Sequence, residues 1–391
     1  MPLNLRLALM KSTHIEPRQL LARARRVVVK VGSTTVSKNF DLNPEQLDAL
    51  VQDLASVKQK GKEIILVTSG AIAAGTGRLG LTQRPQTLPG LQAAASVGQT
   101  RLMHGYEHRF SQYNQITGTM LLTQDDFNFR ERYTHMSNTL RALLRLGVLP
   151  IINENDTVAV EEIKVGDNDT LAAYVTNLAE ADLLIILSDQ DGFYTADPRR
   201  APDAKLISLV YDVTDELKHA AGSAGSQSGT GGMATKLHAA EIVTGSGEMM
   251  VLANGTESQV VSRILAGEKI GTLFLPQERM SGRKRWIAYS RPPKGRLFVD
   301  GGARRALVHH GRSLLPSGIQ RVEGNFNHGD TVSCRDENGA ELARGLVNYN
   351  THELKRIMGK QTSEIEKVLG YYYYNEVIHR DNLVVMHRTE T

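Results

Sequence analysis

The chain has 391 residues, 41% hydrophobic and 23% charged, a composition typical of globular proteins of two or three domains. It has no apolar run of about 18 residues or more, which excludes a membrane-spanning helix, and its single cysteine excludes an internal disulfide and favours the cytoplasm. Residues 27–280 carry 22 Lys/Arg against 29 Asp/Glu, whereas residues 281–391 carry 18 against 12, which favours two functional units over one basic nucleic-acid-binding domain.

Residues 1–25 form a basic N-terminal extension. This segment has no long apolar core, so it is not a secretory signal peptide. Two alternatives remain, an organelle transit peptide and a solvated helix or disordered arm. We favour the helix or arm because a transit peptide is usually rich in hydroxyl residues and this segment is not.

Apolar, β-branched runs alternate with stretches of helical period over residues 26–280. The predicted strands are residues 26–31, 63–68, 115–122, 148–153, 182–187 and 248–253. The predicted helices are residues 44–60, 91–113, 133–146, 169–179, 234–244 and 258–266. Continuous apolar strands that alternate with helices predict an α/β fold with a mostly parallel sheet covered on both faces.

Polar or glycine-rich turns follow four of the predicted strands. They are residues 30–33, 68–70, 153–156 and 188–189. Because ligands bind beyond the carboxyl ends of such strands, we expect these turns to meet at one edge of the sheet. Lys30 ends a buried strand, where an unpaired charge is costly, and Gly32 would let a phosphate approach the backbone. The alternative is a lysine that merely extends to solvent.

Two clusters of amides and carboxylates lie at residues 153–156 and 166–169. Such groups can hold the ammonium and the carboxylate of an amino acid, or can order cations and water. The segment between them, residues 157–165, alternates like a hairpin and could act as a lid. For Asp169 the alternative is a helix N-cap. No histidine occurs between His135 and His219, which argues against a dinuclear metal hydrolase.

Residues 229–236 place three glycines and a lysine at the start of a predicted helix. The free N–H groups and the dipole of a helix start favour an anion, and a lysine in the first turn is disfavoured unless an anion binds nearby. A flexible linker explains the glycines but not Lys236. We therefore predict phosphate binding, although the spacing is not that of a Walker A loop.

The sequence changes character after residue 275. Residues 281–294 form a basic linker, residues 295–375 contain short runs broken by glycines, and residues 376–391 form a C-terminal tail. The predicted strands here are residues 296–300, 306–308, 330–334 and 342–347. Short strands at turn-marked intervals predict a small β-barrel-like domain.

These motifs, in this order, resemble the glutamate 5-kinase family from about residue 25 to the C terminus. The matching segments are residues 29–32, 67–75, 97–99, 152–156, 162–169, 194–199, 229–236, 284–286, 313–319 and 324–326. Ser33 replaces the threonine of the family pattern but keeps its hydroxyl group. The resemblance implies an amino-acid-kinase catalytic domain over residues 26–280, which is a three-layer αβα sandwich, and a PUA domain over residues 295–375.

The resemblance also implies that ATP phosphorylates the side-chain carboxylate of L-glutamate, the first step of proline biosynthesis, with L-proline as inhibitor. Lys30 and Lys236 would stabilise the transferring phosphoryl group, and Asp169 would position both lysines. The implied glutamate site is Ser69, Gly70, Asn153, Asp156 and Asn168. The implied ATP site is Lys30, Gly32, Ser188, Asp189, Thr230, Gly231, Gly232, Met233, Ala234, Thr235 and Lys236. Glu162, on the hairpin between the two polar clusters, is expected to take part in inhibition by proline.

The expected chemistry requires few protein groups. The acceptor carboxylate is already ionised at pH 7, so no general base is needed. Mg²⁺ is expected to arrive mainly on the nucleotide and to keep waters, so we predict no all-protein metal site. We also expect a homo-oligomer, either a dimer or a tetramer.

Two alternative functions stay open. Another member of the same kinase superfamily would act on acetylglutamate, aspartate, carbamate or a nucleoside monophosphate, but the two polar clusters and the appended domain argue against it. PUA-like domains elsewhere recognise RNA. Residues 295–375 lack a dense Lys/Arg cluster interleaved with aromatic residues, so we do not expect RNA binding.

Overall fold

The chain divides into two compact units, Met1–Arg279 and Met280–Thr391. The computed structural model describes residues 16–159, 168–198, 201, 203–214, 217–218, 232–276, 284, 287–288 and 293–386. Within these residues no helix is long and apolar enough to cross a membrane. Each unit has its own sheet and its own hydrophobic core.

An eight-stranded sheet forms the centre of the first unit. The strands of this unit are β1 (Arg26–Val31), β2 (Ser37–Lys38), β3 (Asp41–Leu42), β4 (Glu63–Val67), β5 (Thr117–Leu122), β6 (Leu149–Glu154), β7 (Leu183–Ser188), β8 (Phe193–Tyr194), β9 (Leu206–Ile207), β10 (Leu209–Val210), β11 (Met249–Asn254) and β12 (Thr272–Phe274). The sheet order is β10-β12-β11-β7-β1-β4-β6-β5. The six strands from β11 to β5 are parallel, and β12 is antiparallel to β11. The prediction of a mostly parallel sheet is confirmed.

Helices form two packed groups in this unit. They are α1 (Ser33–Val36), α2 (Pro44–Gln59), α3 (Ala71–Arg78), α4 (Leu88–Ser111), α5 (Arg130–Arg145), α6 (Asn168–Ala179), α7 (Met233–Gly245) and α8 (Val260–Leu265), with 3₁₀ helices Pro17–Arg23 and Gln124–Asn128. Helix α2 contacts α4 and α8, whereas α6 contacts α5 and α7. Helix α2 begins where Asn43 accepts a hydrogen bond from the backbone of Gln46 and Pro44 takes the first position.

The end of the N-terminal extension is folded, so the prediction of a solvated helix or disordered arm was wrong for residues 16–25. Leu20 and Leu21 of the 3₁₀ helix Pro17–Arg23 are buried in the core of the first unit. Arg18 is also buried, and its guanidinium donates to the carbonyl oxygens of Ser208, Glu268, Ile270 and Gly271. These four acceptors replace the water that a buried guanidinium loses. Residues 1–15 lie outside the described part of the chain.

The second unit contains a five-stranded, mostly antiparallel sheet. Its strands are β13 (Gly295–Val299), β14 (Ile319–Gly324), β15 (Thr331–Arg335), β16 (Glu341–Leu346) and β17 (Leu383–Val385), in the order β14-β13-β15-β16-β17. Its helices are α9 (Gly301–Val308), α10 (Thr351–Ile357) and α11 (Ile365–Leu369), with 3₁₀ helices Pro316–Gly318, Thr362–Glu364 and Arg380–Asn382. Only the pair β13 and β15 is parallel.

Residues 306–308 end helix α9, so the prediction of a strand there was wrong. Asp300 caps this helix, and its Oδ1 accepts a hydrogen bond of 2.7 Å from the backbone of Ala303. The cap satisfies a free N–H group of the first turn. Leu307 then points into the core from a helix rather than from a strand.

Candidate active site

A cavity of about 450 Å³ opens at the carboxyl ends of the parallel strands of the first unit. A volume of this size is typical of pockets that hold small ligands. Sequence-predicted residues that line it are Lys30, Gly32, Ser69, Gly70, Asn153, Asp156, Asn168, Ser188, Asp189, Gly232, Met233 and Lys236. The turns after β1, β4, β6 and β7 therefore meet at one edge of the sheet, as their positions predicted.

Two lysines and one aspartate form a buried charge cluster at the wall of this cavity. Lys30 lies near the end of β1 and Lys236 lies in the first turn of α7, and the two residues are only 6% and 7% exposed. The Nζ of Lys30 lies 2.6 Å from Oδ1 of Asp169, and the Nζ of Lys236 lies 3.1 Å from Oδ2. Asp169 is fully buried behind the lysines. The cluster therefore presents excess positive charge to the cavity.

The charge state of Asp169 follows from these neighbours. Burial alone would raise its pKa, but Lys30 and Lys236 outweigh burial and hold the pKa of this carboxyl well below its usual range. Asp169 lies inside the first turn of α6, and Thr235 also donates to its Oδ2, at 3.1 Å. Asp169 therefore lies within α6 and not at an N-cap position, and its carboxylate contacts the two lysines.

Three amide side chains form a hydrogen-bonded network beside the cluster. The Nδ2 of Asn168 lies 2.9 Å from Oγ of Ser69 and 3.0 Å from Oδ1 of Asn153, and it also lies 2.7 Å from the carbonyl oxygen of Thr68. Asn153 in turn donates to Gln99 at 2.7 Å. Because Ser69 is an acceptor in this network, its hydroxyl hydrogen is available to donate to a ligand in the cavity.

Asp156 is one of the carboxylates that line the cavity, and it lies in the turn that follows β6. Burial raises its pKa to about 6, and the attraction of the nearby Arg84 guanidinium opposes that rise. No ion pair joins Asp156 to another group in the described part of the chain. A desolvated carboxylate of this kind is suited to bind a cationic ligand group.

The order of the strands separates the cavity into two sides. Lys30 pairs with Val67 of β4 on one side and with Ile186 of β7 on the other. Ser69 follows β4, and Asn153 and Asp156 lie at the end of β6 and in the turn after it, whereas Ser188 ends β7 and Asp189 follows it. The lysine cluster therefore lies between the two sides.

Short strands complete the wall on the β7 side. Tyr194 of β8 lines the cavity, together with Ala196, Asp197 and Pro198. Thr272 of β12 fixes this hairpin, because its Oγ1 accepts from the backbone of Phe193 at 2.7 Å and donates to Ile207 at 2.6 Å. Tyr194, Ala196, Asp197 and Pro198 belong to the motif at residues 194–199, which the sequence identifies but for which it indicates no role.

The start of helix α7 lies open to the cavity. A Cβ atom on Gly232 would meet no atom of the described residues within 4 Å, so none of those residues blocks a ligand from the backbone there. The helix dipole and Lys236 both favour an anion at this point. Two of the predicted ATP-site residues, Ala234 and Thr235, are not part of the described lining. Thr230 and Gly231, like Glu162, lie outside the described residues.

Sequence reasoning missed two parts of the lining. The first is Arg84, in the connection between α3 and α4, and the second is the β2–β3 hairpin, from which residues 37–40 line the cavity. Asn39 and Phe40 adopt left-handed backbone angles, φ 52° and 60°, so the tight turn is formed without glycine. A glycine-containing turn signal would have identified the hairpin, but this sequence has none.

Family models match most of the chain. The model of the amino acid kinase family matches residues 25–254, and the model of the PUA domain matches residues 295–369. The first match contains every described residue of the lysine cluster and of the amide network.

Several relatives are similar to the chain over almost its whole length. The glutamate 5-kinase of Caldanaerobacter subterraneus subsp. tengcongensis is 56% identical, covering 93% of this chain and 99% of the relative. The glutamate 5-kinase of Thermoanaerobacter sp. (strain X514) is 52% identical with the same coverage. That of Geobacter sp. (strain M21) is 50% identical, covering 94% of this chain and 100% of the relative.

Proposed function

Because the chain belongs to the amino acid kinase family and, within it, to the glutamate 5-kinases, we propose that it transfers the γ-phosphoryl group of ATP to the side-chain carboxylate of L-glutamate. The products are ADP and L-glutamyl 5-phosphate, and the step is the first of proline biosynthesis. The observation that carries this proposal is the cluster of Lys30, Asp169 and Lys236. It lies between a polar side suited to an amino acid and a helix start suited to phosphate.

The acceptor binds on the β4–β6 side. The α-ammonium group of glutamate pairs with Asp156, and Ser69, Asn153 and Asn168 orient the rest of the molecule. The amide network holds these groups in fixed positions, so the reacting carboxylate is aligned before transfer.

ATP binds on the β7 side, with its phosphates at the start of α7. An oxygen of the glutamate side chain attacks the γ-phosphorus, and the bond to the bridging oxygen of ADP breaks. Negative charge on the transferring group and on the leaving oxygen is stabilised by Lys30 and Lys236. Mg²⁺ enters as part of the nucleotide substrate. We also propose that the protein works in the cytoplasm, because its single cysteine, Cys334, is buried and forms no disulfide.

An acceptor panel tests this function. ADP release is measured with glutamate, N-acetylglutamate, aspartate, carbamate and UMP, and acyl phosphates are trapped as hydroxamates with hydroxylamine. We expect hydroxamate from glutamate at the highest kcat/KM. A higher value with any other acceptor would overturn the proposal.

The pKa of Asp156 predicts how glutamate binding depends on pH. Only the ionised carboxylate pairs with the α-ammonium group, and its pKa is about 6. We therefore expect the glutamate KM to be constant above about pH 7 and to rise about tenfold at one unit below the pKa. Initial rates at pH 5 to 8 check this. The variant Asp156→Asn should have a high KM at every pH, and a parent KM that does not change with pH would contradict the assignment.

We predict that L-proline inhibits competitively with glutamate. Proline shares the α-carboxylate and a cationic amine with glutamate but has no side-chain carboxylate to accept phosphate. Glu162→Ala should weaken inhibition more than catalysis, whereas Glu131→Ala, at an exposed position on α5, should change neither. Glutamate saturation curves at several proline concentrations provide the measurement. Inhibition that glutamate cannot overcome would place proline at a separate site.

A further inference from the structure

Arg84 is a cation in the cavity that the chemistry described so far does not use. It lies in the connection between α3 and α4 and lines the cavity together with Asp156. Its guanidinium has no ion pair and no side-chain hydrogen bond within the described residues. A planar guanidinium can donate two parallel hydrogen bonds to the two oxygens of a carboxylate.

Packing holds the Arg84 connection close to the turn that carries Asp156. Leu91, at the start of α4, and Ala159, just after that turn, form a small buried cluster with Ile72 and Leu88. In addition, the side chain of Gln92 donates to the carbonyl oxygen of Ala159 at 3.4 Å. The two charged groups therefore lie near each other on the same side of the cavity, without forming an ion pair.

The lysine cluster does not need Arg84. Lys30 and Lys236 already provide the positive charge near the start of α7. Among the described residues, Arg84 and Asp156 thus place a cation and a carboxylate in the cavity without an ion pair. Such an arrangement is complementary to a zwitterion, in which a carboxylate and an ammonium group are attached to the same carbon.

We propose that Arg84 binds the α-carboxylate of the acceptor while Asp156 binds its α-ammonium group, so that this pair selects α-amino acids. This inference rests on glutamate as acceptor. Arg84 is therefore a specificity-determining residue that contacts the part of the substrate that does not react.

Two glutamate analogues separate the contributions of the pair. 4-Aminobutyrate lacks the α-carboxylate, and glutarate lacks the α-ammonium group. The kcat/KM for glutamate is compared with that for each analogue in four proteins, namely the parent, Arg84→Gln, Arg84→Lys and Asp156→Asn. For an analogue that is not phosphorylated, its inhibition constant against glutamate is measured instead. Arg78→Gln is the matched control, since Arg78 is an exposed arginine at the end of α3 that does not line the cavity.

Arg84→Gln should reduce the preference for glutamate over 4-aminobutyrate by at least about tenfold, the scale of a charge-assisted hydrogen bond, with the KM of ATP unchanged. Arg84→Lys should fall between this variant and the parent, and Arg78→Gln should match the parent. Asp156→Asn should instead reduce the preference over glutarate. Equal losses for glutamate and 4-aminobutyrate in Arg84→Gln, or a change confined to the KM of ATP, would overturn the role of Arg84. A parent that does not phosphorylate glutamate would instead refute the proposed function itself.

Discussion

Replacing Lys236 with alanine is expected to lower kcat by about a thousandfold and to change the glutamate KM by less than about threefold, since single groups that stabilise developing charge contribute on this scale. The charge of Lys236 acts mainly when negative charge moves between donor and acceptor. In the proposed function glutamate binds on the β4–β6 side of the cavity, whereas Lys236 lies at the start of α7. The measurement is steady-state ADP release at saturating ATP.

Lys269→Ala controls for the loss of a surface charge, because the side chain of Lys269 is 76% exposed and does not line the cavity. Its kcat should equal that of the parent. Loss of a transition-state contact lowers kcat by about a hundredfold or more. If the kcat of Lys236→Ala stayed within about threefold of the parent value, Lys236 would have no part in phosphoryl transfer.

Much of the site could be predicted from the sequence because it depends on strand ends. Lys30, Ser69, Asn153 and Ser188 all follow or end apolar runs that form neighbouring parallel strands. Such runs are visible as continuous hydrophobic segments, and their carboxyl ends must share one edge of the sheet. The sequence alone therefore predicts that these residues lie close together.

Other parts of the site depend on contacts between distant segments, which a single sequence does not reveal. Arg84 occupies an irregular connection, and it lies near Asp156 in a part of the fold where Leu91 packs against Ala159. Arg18 is buried because it meets carbonyl oxygens about 250 residues away along the chain. Neither position belongs to a periodic pattern, so nothing in the sequence indicated that Arg84 lines the cavity, and Arg18 was expected in a solvated extension.

The strand wrongly predicted at residues 306–308 has a different origin. A short apolar run cannot distinguish a strand from the end of a helix. Asp300 caps the helix, and this capping residue lies six residues before the first residue of the run.

Asp169→Asn is expected to reduce both activity and stability. Without the carboxylate, Lys30 and Lys236 remain buried side by side with no counter-charge at that position. Removing one partner of a buried ion pair typically lowers the free energy of unfolding by about 3 to 5 kcal/mol. The lysines then repel each other and move apart, so kcat should fall at least about a hundredfold, the loss expected when groups that stabilise the transition state are misplaced.

The pH dependence distinguishes this charge effect from a simple loss of packing. Folding lowers the pKa of Asp169, so the cluster stabilises the parent above the unfolded-state pKa of about 4, and this contribution disappears as the pH falls through the lower folded-state value. The difference in unfolding free energy between parent and Asp169→Asn should thus be constant from pH 6 to 8 and should shrink below about pH 4. Urea unfolding at each pH measures this difference.

MgADP should also raise the Tm of Asp169→Asn more than that of the parent, because the phosphates of the nucleotide supply the missing negative charge. Asp53→Asn removes another buried carboxylate, one that accepts from the backbone of Val261 and Ser262 away from the cavity. This control variant should be less stable than the parent but should keep the kcat of the parent and the same rise of the Tm with MgADP. If Asp169→Asn behaved in the same way, Asp169 would have only a structural role.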